Sequence, residues 1–223
     1  MPYSYIFPDP ERADKDGLLA AGGDLSAEAL ISAYSAGIFP WYSEDSLILW
    51  WSPDPRLVLF PEKLKVSYTL KQTIKRGKYT VKFDSDFDAV IRNCATVKRY
   101  EQEGTWITPE MQQAYSDLHH QGYAHSIETY HAGELVGGLY GVSLGKAFFG
   151  ESMFHYMPDT SKVALYYLVE QLKQWDYHFI DAQQPTAHLK SMGAEEISRK
   201  EFLKKLKKAL EFPTRRGKWE MEI

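Results

Sequence analysis

The chain has 223 residues, of which 44% are hydrophobic and 25% charged, and its formal net charge is −4. This composition is that of an ordinary globular protein and excludes a disordered or fibrous chain. No apolar run reaches the ~18 residues that a membrane-spanning helix needs, and the first residues lack the form of a secretion signal, which predicts a cytoplasmic protein without membrane contacts. The single cysteine, Cys94, excludes an internal disulfide and a cysteine-based zinc site.

The first fifty residues combine glycine, proline and aromatic side chains with one clear helix. This helix is predicted to start from an N-cap at Asp24 or Ser26 and to end at Gly37. The tryptophan pair at positions 50 and 51 is followed by two prolines, and we therefore place it on a loop.

A regular pattern of apolar and polar residues begins after the tryptophan pair. Strands are predicted over residues 56–60 and 79–83, a short basic helix after Ser67, and a second helix from Phe87 to about Ala95. The composition changes from loops to alternating elements around residues 55–65. This change predicts a small N-terminal domain, 1–60, and a larger domain, 61–223.

The second half predicts a sheet covered by helices. Thr108 caps a helix that runs to His120, and strands over 124–130, 134–142 and 146–149 form an antiparallel meander. A helix starting at 159–161 and a strand over 177–181 complete a crossover, and a basic helix over 200–210 follows. We expect an α/β (α+β) protein whose mixed, largely antiparallel sheet is flanked by helices.

Two groups of polar residues stand out against this framework. Glu151 lies among aromatic residues at the predicted end of a strand, and burying its carboxylate is expensive without a cationic partner. In the strand segment over 180–183, the period of two puts Asp181 and Gln183 on one face. These side chains either cap a strand end or form a site together with Glu151, and the pattern alone leaves both interpretations open.

Several common chemistries have no support in the sequence. There is no glycine-rich phosphate-binding motif, and no Ser-His-Asp or Cys-His arrangement can be assembled. His119 and His120 are adjacent on a predicted helix, so they point in different directions and lack further ligands. We expect neither a metal nor a cofactor.

Positive charge is concentrated in two segments. Residues 63–82 and 199–218 together carry a net +14, whereas the rest of the chain carries −18. If the two segments meet in space they suit a polyanion, and otherwise they are two solvated faces. The side chains that we assign to binding this polyanion are Lys71, Lys75, Arg76, Lys204, Lys205, Lys207 and Lys208.

Six short segments occur in a specific order and spacing. They are WWSPDPR (50–56), TWI (105–107), AHSIE (124–128), LVGGLYG (135–141), FGESMF (149–154) and IDAQ (180–183). In this arrangement the chain closely resembles the leucyl/phenylalanyl-tRNA–protein transferase family over roughly residues 5–205. The resemblance implies a GCN5-related acyltransferase (GNAT)-like fold, used without acyl-CoA.

The resemblance also implies an activity and its partners. Such an enzyme moves Leu or Phe, and less readily Met, from leucyl-tRNA or phenylalanyl-tRNA to the N-terminal Arg or Lys of a protein, which marks that protein for degradation in the bacterial N-end rule pathway. We expect it to act as a monomer.

The resemblance assigns roles to individual residues. Glu151 would bind the α-ammonium of the aminoacyl group, and Asp181 would polarise Gln183, whose carbonyl oxygen would receive a proton from the attacking amine. Trp50 and Trp106 would hold the terminal adenosine. The apolar residues that we expect to line the donor side-chain pocket are Leu139, Phe148, Met153, Leu168 and Ile180.

Two alternative functions remain open at this point. The first is an acyl-CoA-dependent N-acetyltransferase of the same fold, which the absence of a pyrophosphate-binding loop before residue 159 disfavours. The second is a non-catalytic tRNA-binding module, for which only the segregation of charge argues.

Overall fold

Two β-sheets organise the chain in the computed structural model, which describes residues 5–97 and 105–221. The smaller sheet has three strands, β1 (Leu18–Ala21), β2 (Phe39–Pro40) and β3 (Leu49–Trp51), with β3 in the middle. Helix α1 (Ala27–Ser35) joins β1 to β2. Its N-cap is Ser26, one of the two predicted positions, whose hydroxyl accepts the N–H of Ala29 at 3.2 Å.

The prediction that the tryptophan pair lies on a loop is wrong. Trp50 and Trp51 are the last two residues of β3, and they pair with β1 on one side and β2 on the other. The prolines at 53 and 55 follow the strand, so they end it without removing any of its hydrogen bonds.

The remaining elements belong to a seven-stranded sheet and its covering helices. In chain order they are β4 (Arg56–Leu59), α2 (Tyr68–Lys75), β5 (Thr80–Phe83), α3 (Phe87–Thr96), α4 (Pro109–His120), β6 (Ala124–His131), β7 (Glu134–Leu144), β8 (Ala147–His155), α5 (Thr160–Gln174), β9 (Phe179–Gln183), α6 (Ala187–Ser191), β10 (Glu195–Ile197) and α7 (Arg199–Ala209).

The strand order of the large sheet is β10-β4-β9-β8-β7-β6-β5. Its strands pair antiparallel except for β8 and β9, which are parallel and are joined by the crossover helix α5. This arrangement confirms the predicted mixed, largely antiparallel sheet. β4 lies before residue 60 and pairs within the large sheet, and the division into 1–60 and 61–223 stays a prediction.

The large sheet separates two hydrophobic cores because successive side chains of a strand point to opposite faces. Tyr140 and Phe149 lie on one face, in the core that includes α1, α3 and α4. Leu139 and Phe148 lie on the other face, against α2 and α5. The sheet is therefore covered by helices on both faces, as predicted. No helix within the described residues is long and apolar enough to cross a bilayer.

A C-terminal segment after α7 packs against the second core through Trp219. This side chain is 1% exposed, and its ring stacks on His125 at 3.7 Å and meets Trp175 edge-on at 4.9 Å. Its backbone N–H donates to the buried carboxylate of Asp84 at 2.6 Å. The ring also lies 5.9 Å from that of Phe148, so the segment supports a residue at the centre of the sheet.

Replacing Trp219 with alanine is expected to lower the free energy of unfolding by about 3–5 kcal/mol, because it leaves a large cavity between buried rings. Urea denaturation followed by circular dichroism measures this change. Trp41, which is 37% exposed, provides the matched control, and Trp41→Ala should cost much less. Equal losses in the two variants would contradict the role that we give to the C-terminal segment.

Candidate active site

Glu151 is the extra residue of a β-bulge in β8. Tyr140 of β7 pairs with Ser152 and the next residue, Gly141, pairs with Gly150, so Glu151 has no partner in the register. A bulge of this kind redirects a side chain. The neighbouring strand accommodates it through Gly141, where a Cβ atom would lie 2.2 Å from the carbonyl oxygen of Phe149. Glu151 thus lies within a strand, and the prediction that it ends one is wrong, because β8 continues to His155.

Among the described residues, three donors surround the Glu151 carboxyl group. The hydroxyl of Tyr34, on α1, donates to Oε1 at 2.7 Å, and Gln183 Nε2 donates to the same oxygen at 3.0 Å. The hydroxyl of Tyr115, on α4, donates to Oε2 at 3.1 Å. A carboxylate offers about four acceptor positions, so one on Oε2 remains for another donor.

The two tyrosine hydroxyls also contact each other directly. The three contacts among Tyr34, Tyr115 and Glu151 need three protons, and the two phenols supply only two. A proton on Glu151 supplies the third, and in that state Oε2 donates to the Tyr115 hydroxyl, which in turn donates to Tyr34. The geometry therefore fits a neutral carboxyl group in the unoccupied site.

Electrostatics agree with this proton count. Burial raises the pKa of Glu151 to about 7, against the opposing effect of the hydrogen bonds from Tyr34, Tyr115 and Gln183. Burial, together with the nearby Glu151 charge, raises the pKa of both tyrosines well above its ordinary value. Both phenols are therefore fixed donors, whereas Glu151 gains or loses its proton near neutral pH.

Gln183 reaches Glu151 because the end of β9 departs from regular geometry. Leu57 of β4 pairs with Gln183 and Val58 with Asp181, so Ala182 is a second bulge residue. Gln183 itself has a left-handed backbone, with φ of 61°. The side chain of Gln183 meets Glu151 beside Tyr34, and that of Asp181 meets Arg56 beside Phe39. Tyr34 and Phe39 belong to the same core, and the sharing of one face by Asp181 and Gln183 stays a prediction.

Asp181 forms a buried ion pair with Arg56. Arg56 Nε donates to Oδ1 at 2.8 Å and Nη2 to Oδ2 at 2.6 Å, and both side chains are at most 1% exposed. The Arg56 guanidinium lies between the rings of Phe39 and Phe202, at 4.8 and 4.5 Å. Asp181 contacts Gln183 only through the backbone, by accepting its N–H at 2.9 Å.

A cavity of roughly 430 Å³ opens beside Glu151 and Gln183, and this volume is in the range of small-molecule sites. Its walls come from β7, β8, β9, α5 and α6. The five apolar residues predicted to form a pocket all line it, namely Leu139, Phe148, Met153, Leu168 and Ile180. Among the described residues, no cluster of histidine, cysteine and acidic side chains is suited to a metal ion.

The two tryptophans predicted to hold an adenosine have different surroundings. Trp106 is partly buried and lines the cavity. Trp50 is 1% exposed, donates its indole N–H to the Gly22 carbonyl at 2.8 Å and packs against Phe7. This burial leaves little of the ring open to an adenosine, so the surroundings of Trp50 do not support its predicted role, which stays a prediction.

The predicted tRNA-binding residues lie on two helices. Lys71 and Lys75 are exposed on α2, with Arg76 exposed at its C-terminal end. On α7, Lys204, Lys207 and Lys208 are exposed, and Lys205 is partly buried.

The two basic segments meet at Phe60. The ammonium groups of Lys63 and Lys205 lie over its ring at 5.1 and 5.0 Å. This contact brings Lys63, at the start of residues 63–82, next to residues 199–218. That the cations of α2 and α7 form one surface stays a prediction.

Sequence reasoning missed three residues of the site: Tyr34, Tyr115 and Arg56. The two tyrosines fall at apolar positions of amphipathic helices, where a tyrosine is usually a core residue. Arg56 carried a signal, because it is the last residue of the proline-rich segment at 50–56. A buried arginine needs an acidic partner, and Asp181 is that partner.

Comparison with known protein families gives a consistent match. The family model described as "Leucyl/phenylalanyl-tRNA protein transferase" matches residues 58–207, and the model of that family's N-terminal domain matches residues 23–54. A relative with this name from Anaeromyxobacter sp. (strain Fw109-5) is 58% identical over 222 residues, covering 100% of this chain and 94% of its own. One from Maridesulfovibrio salexigens is 59% identical over 216 residues, covering 96% and 90%.

Similar solved structures are more distant. They include "The structure of L-PGS from Bacillus licheniformis", at a TM-score of 0.42 and 13% identity, covering 74% of this chain and 52% of that one. A GCN5-related N-acetyltransferase from Kribbella flavida has a TM-score of 0.38 and 11% identity, with 75% and 60% covered. At these TM-scores we draw no conclusion about activity from the similarity.

Proposed function

From the premise that the chain belongs to the leucyl/phenylalanyl-tRNA–protein transferase family, and is therefore an aminoacyltransferase, we propose its substrates. It transfers leucine or phenylalanine, and less readily methionine, from aminoacyl-tRNA to the N-terminal arginine or lysine of a protein. The product is a protein marked for degradation by the N-end rule pathway.

The observation that carries this proposal is a titratable carboxyl group at the end of an apolar cavity. Glu151 keeps one acceptor position on Oε2, and its amide neighbour Gln183 uses Nε2 to contact it, which leaves the Gln183 carbonyl oxygen available. An α-ammonium group placed here donates to Glu151 Oε2 and to the carbonyl oxygen of Gln183. Its positive charge also stabilises the ionised form of Glu151, which binds it best.

The apolar wall supports the choice of donor side chain. Phe148, Leu139 and Leu168 are fully or almost fully buried, whereas Met153 is partly exposed and flexible. One methylene in such a pocket changes binding by about 1–3 kcal/mol, so related apolar side chains are accepted with graded preference. Leucine, phenylalanine and methionine share an unbranched Cβ, which lets each extend from Glu151 into the cavity.

The chemistry requires alignment more than covalent catalysis. An aminoacyl ester is already activated, and holding it against the attacking amine supplies up to about 7–11 kcal/mol of the barrier reduction. Glu151 holds the donor, and the carbonyl oxygen of Gln183 orients an amine through a hydrogen bond. The buried pair of Arg56 and Asp181 fixes the backbone of Gln183, so we assign Asp181 a positioning role.

The tRNA is proposed to bind through its terminal adenosine and its phosphates. Trp106, at the cavity wall, offers an aromatic surface on which a base stacks. The exposed cations of α2 and α7 contact phosphates farther along the acceptor stem.

The transfer assay tests the proposal directly. Purified protein is incubated with leucyl-tRNA and a peptide that begins with arginine, beside an otherwise identical peptide that begins with alanine. We expect leucine on the arginine peptide alone. Turnover of acetyl-CoA without leucine transfer would favour an N-acetyltransferase, and tRNA binding with no transfer from any donor would favour a binding module.

Replacing Lys204, Lys207 and Lys208 on α7 with glutamine is expected to weaken tRNA binding and to flatten its dependence on salt. Each lost phosphate contact reduces the slope of log K against log salt by about 1. Binding measured at several salt concentrations gives the slope. A variant with the same charge change elsewhere, at Lys15, Lys173 and Lys190, is the matched control, and an equal effect from it would mean that α7 has no specific role.

A further inference from the structure

Forming an amide from an ester and an amine moves one proton. The amine nitrogen loses a proton as its bond to the carbonyl carbon forms, and the ribose oxygen needs a proton as its bond to that carbon breaks. A group that accepts the first proton and returns it to the oxygen lowers both barriers. Gln183 does not provide such a group, because a neutral amide is a very weak base.

Among the described residues, three titratable side chains line the cavity: Glu151, Tyr140 and His188. Glu151 is surrounded by donors and, in the proposed function, is paired with the donor's ammonium group. Tyr140 has no exposed surface, and its ring packs edge-on against that of Tyr115. His188 is the side chain left to carry a proton.

His188 occupies the part of the wall that α6 contributes. This short helix begins directly after the β9 end that carries Gln183, and Thr186 caps it by accepting the N–H of Leu189 at 3.2 Å. Thr186 and Leu189 line the cavity together with His188. The imidazole is partly exposed, and within the described residues no hydrogen bond fixes either ring nitrogen. It is therefore accessible to a substrate in the cavity.

The neighbours of His188 favour its neutral form. Burial lowers its pKa, and the positive charge of Lys162 on α5 and the nearby His155 of β8 lower it further. A neutral imidazole is the form that accepts a proton. This environment matches a base that works near neutral pH.

We propose that His188 is a catalytic proton shuttle in aminoacyl transfer, an inference that rests on the proposed function. The neutral N-terminal amine attacks the carbonyl carbon of the aminoacyl ester, and His188 takes the proton that the nitrogen loses. When the bond from the carbonyl carbon to the ribose oxygen breaks, His188 returns that proton to the oxygen. The products are the extended peptide and tRNA with a free hydroxyl group, and His188 regains its starting state.

The test compares His188→Gln and His188→Ala with the intact protein in single-turnover leucine transfer to the arginine peptide. General acid–base catalysis is worth about 10²–10⁴-fold, so both variants should lose at least 100-fold in rate while tRNA affinity stays close to that of the intact protein. Added imidazole should restore part of the rate of His188→Ala. The matched control is His120→Gln, which changes an exposed histidine at the end of α4 and should transfer at nearly the original rate.

Two further readouts separate catalysis from structure. In the intact protein the rate at saturating donor should fall as pH drops through the pKa of His188, and this limb should be missing in His188→Gln. A variant that transfers at the original rate, or one that keeps tRNA affinity but gains nothing from imidazole, would overturn the proposal. An intact protein that fails to transfer leucine at all would instead overturn the proposed function.

Discussion

Replacing Glu151 with glutamine is expected to reduce kcat/KM for leucyl-tRNA by roughly 100-fold or more, because it removes the charge that pairs with the donor's α-ammonium group. A loss of about 3 kcal/mol, as for one member of a buried ion pair, corresponds to a factor of this size. Steady-state transfer to the arginine peptide measures it. Glu134→Gln, at the exposed start of β7, is the matched control and should leave kcat/KM unchanged.

The same substitution is expected to stabilise the protein at alkaline pH. Burial raises the pKa of Glu151 from 4.5 to about 7, so between these values the folded state binds more protons than the unfolded state and stability falls as pH rises. Above pH 7 the folded state carries the full cost of ionising the buried Glu151, about 3 kcal/mol. Glutamine cannot ionise, and its amide supplies the third proton that the contacts with Tyr34 and Tyr115 need.

Thermal unfolding at pH 5 and pH 8 separates these expectations. Glu151→Gln should unfold at a higher temperature than the intact protein at pH 8, and this difference should shrink at pH 5. For the intact protein, kcat/KM should fall below pH 7, because a protonated Glu151 does not pair with an ammonium group. A variant that loses stability equally at both pH values would mean that Glu151 is ionised in the free protein.

Replacing Arg56 with alanine is expected to lower the free energy of unfolding by about 3–5 kcal/mol, a loss as large as that expected for Trp219→Ala. The substitution leaves Asp181 charged, fully buried and without its cation, and it opens a space between Phe39 and Phe202. A domain is stable by only about 5–15 kcal/mol, so much of the variant should unfold at growth temperature. Chemical denaturation gives the value.

A double-mutant cycle identifies the cause of that loss. In the Arg56→Ala background, Asp181→Asn removes the unpaired charge and should recover part of the stability, although the same change alone should be destabilising. If the two losses of stability simply add, the ion pair contributes no coupling, and its proposed role in fixing the backbone of Gln183 is contradicted. An exposed pair, Lys63 with Glu195, serves as a control with little expected coupling.

The framework of this fold was predictable because its elements obey local rules. Helix α4 follows from Thr108 as N-cap, Pro109 at the first helical position and Gly122 with a positive φ after the end. The meander of β6, β7 and β8 follows from alternation and turn glycines. The mixed sheet then follows from the crossover through α5.

The geometry of the site was less predictable because it depends on irregularities. Period-two alternation does not predict the contact between Gln183 and Glu151, since a bulge at Ala182 and a left-handed backbone intervene. The bulge at Glu151 likewise has no sequence pattern of its own.

Position in the sequence also does not predict which side chains are buried or which of them contact Glu151. Of two neighbouring tryptophans in β3, Trp50 points into the core and Trp51 remains partly exposed, which a strand's alternation allows but does not assign. The contacts of Glu151 with Tyr34 and Tyr115 join positions 117 and 36 residues apart in sequence, so only the tertiary fold brings them together.

The most direct test of the central claim uses a donor that lacks only the ammonium group. A tRNA carrying the α-hydroxy analogue of leucine has nearly the same shape as leucyl-tRNA but no charge for Glu151 to bind. We predict that the intact protein transfers the hydroxy analogue roughly 100-fold less efficiently than leucine, and that Glu151→Gln transfers both with similar, low efficiency. Equal kcat/KM for the two donors with the intact protein would contradict the assignment of Glu151 as the ammonium-binding residue.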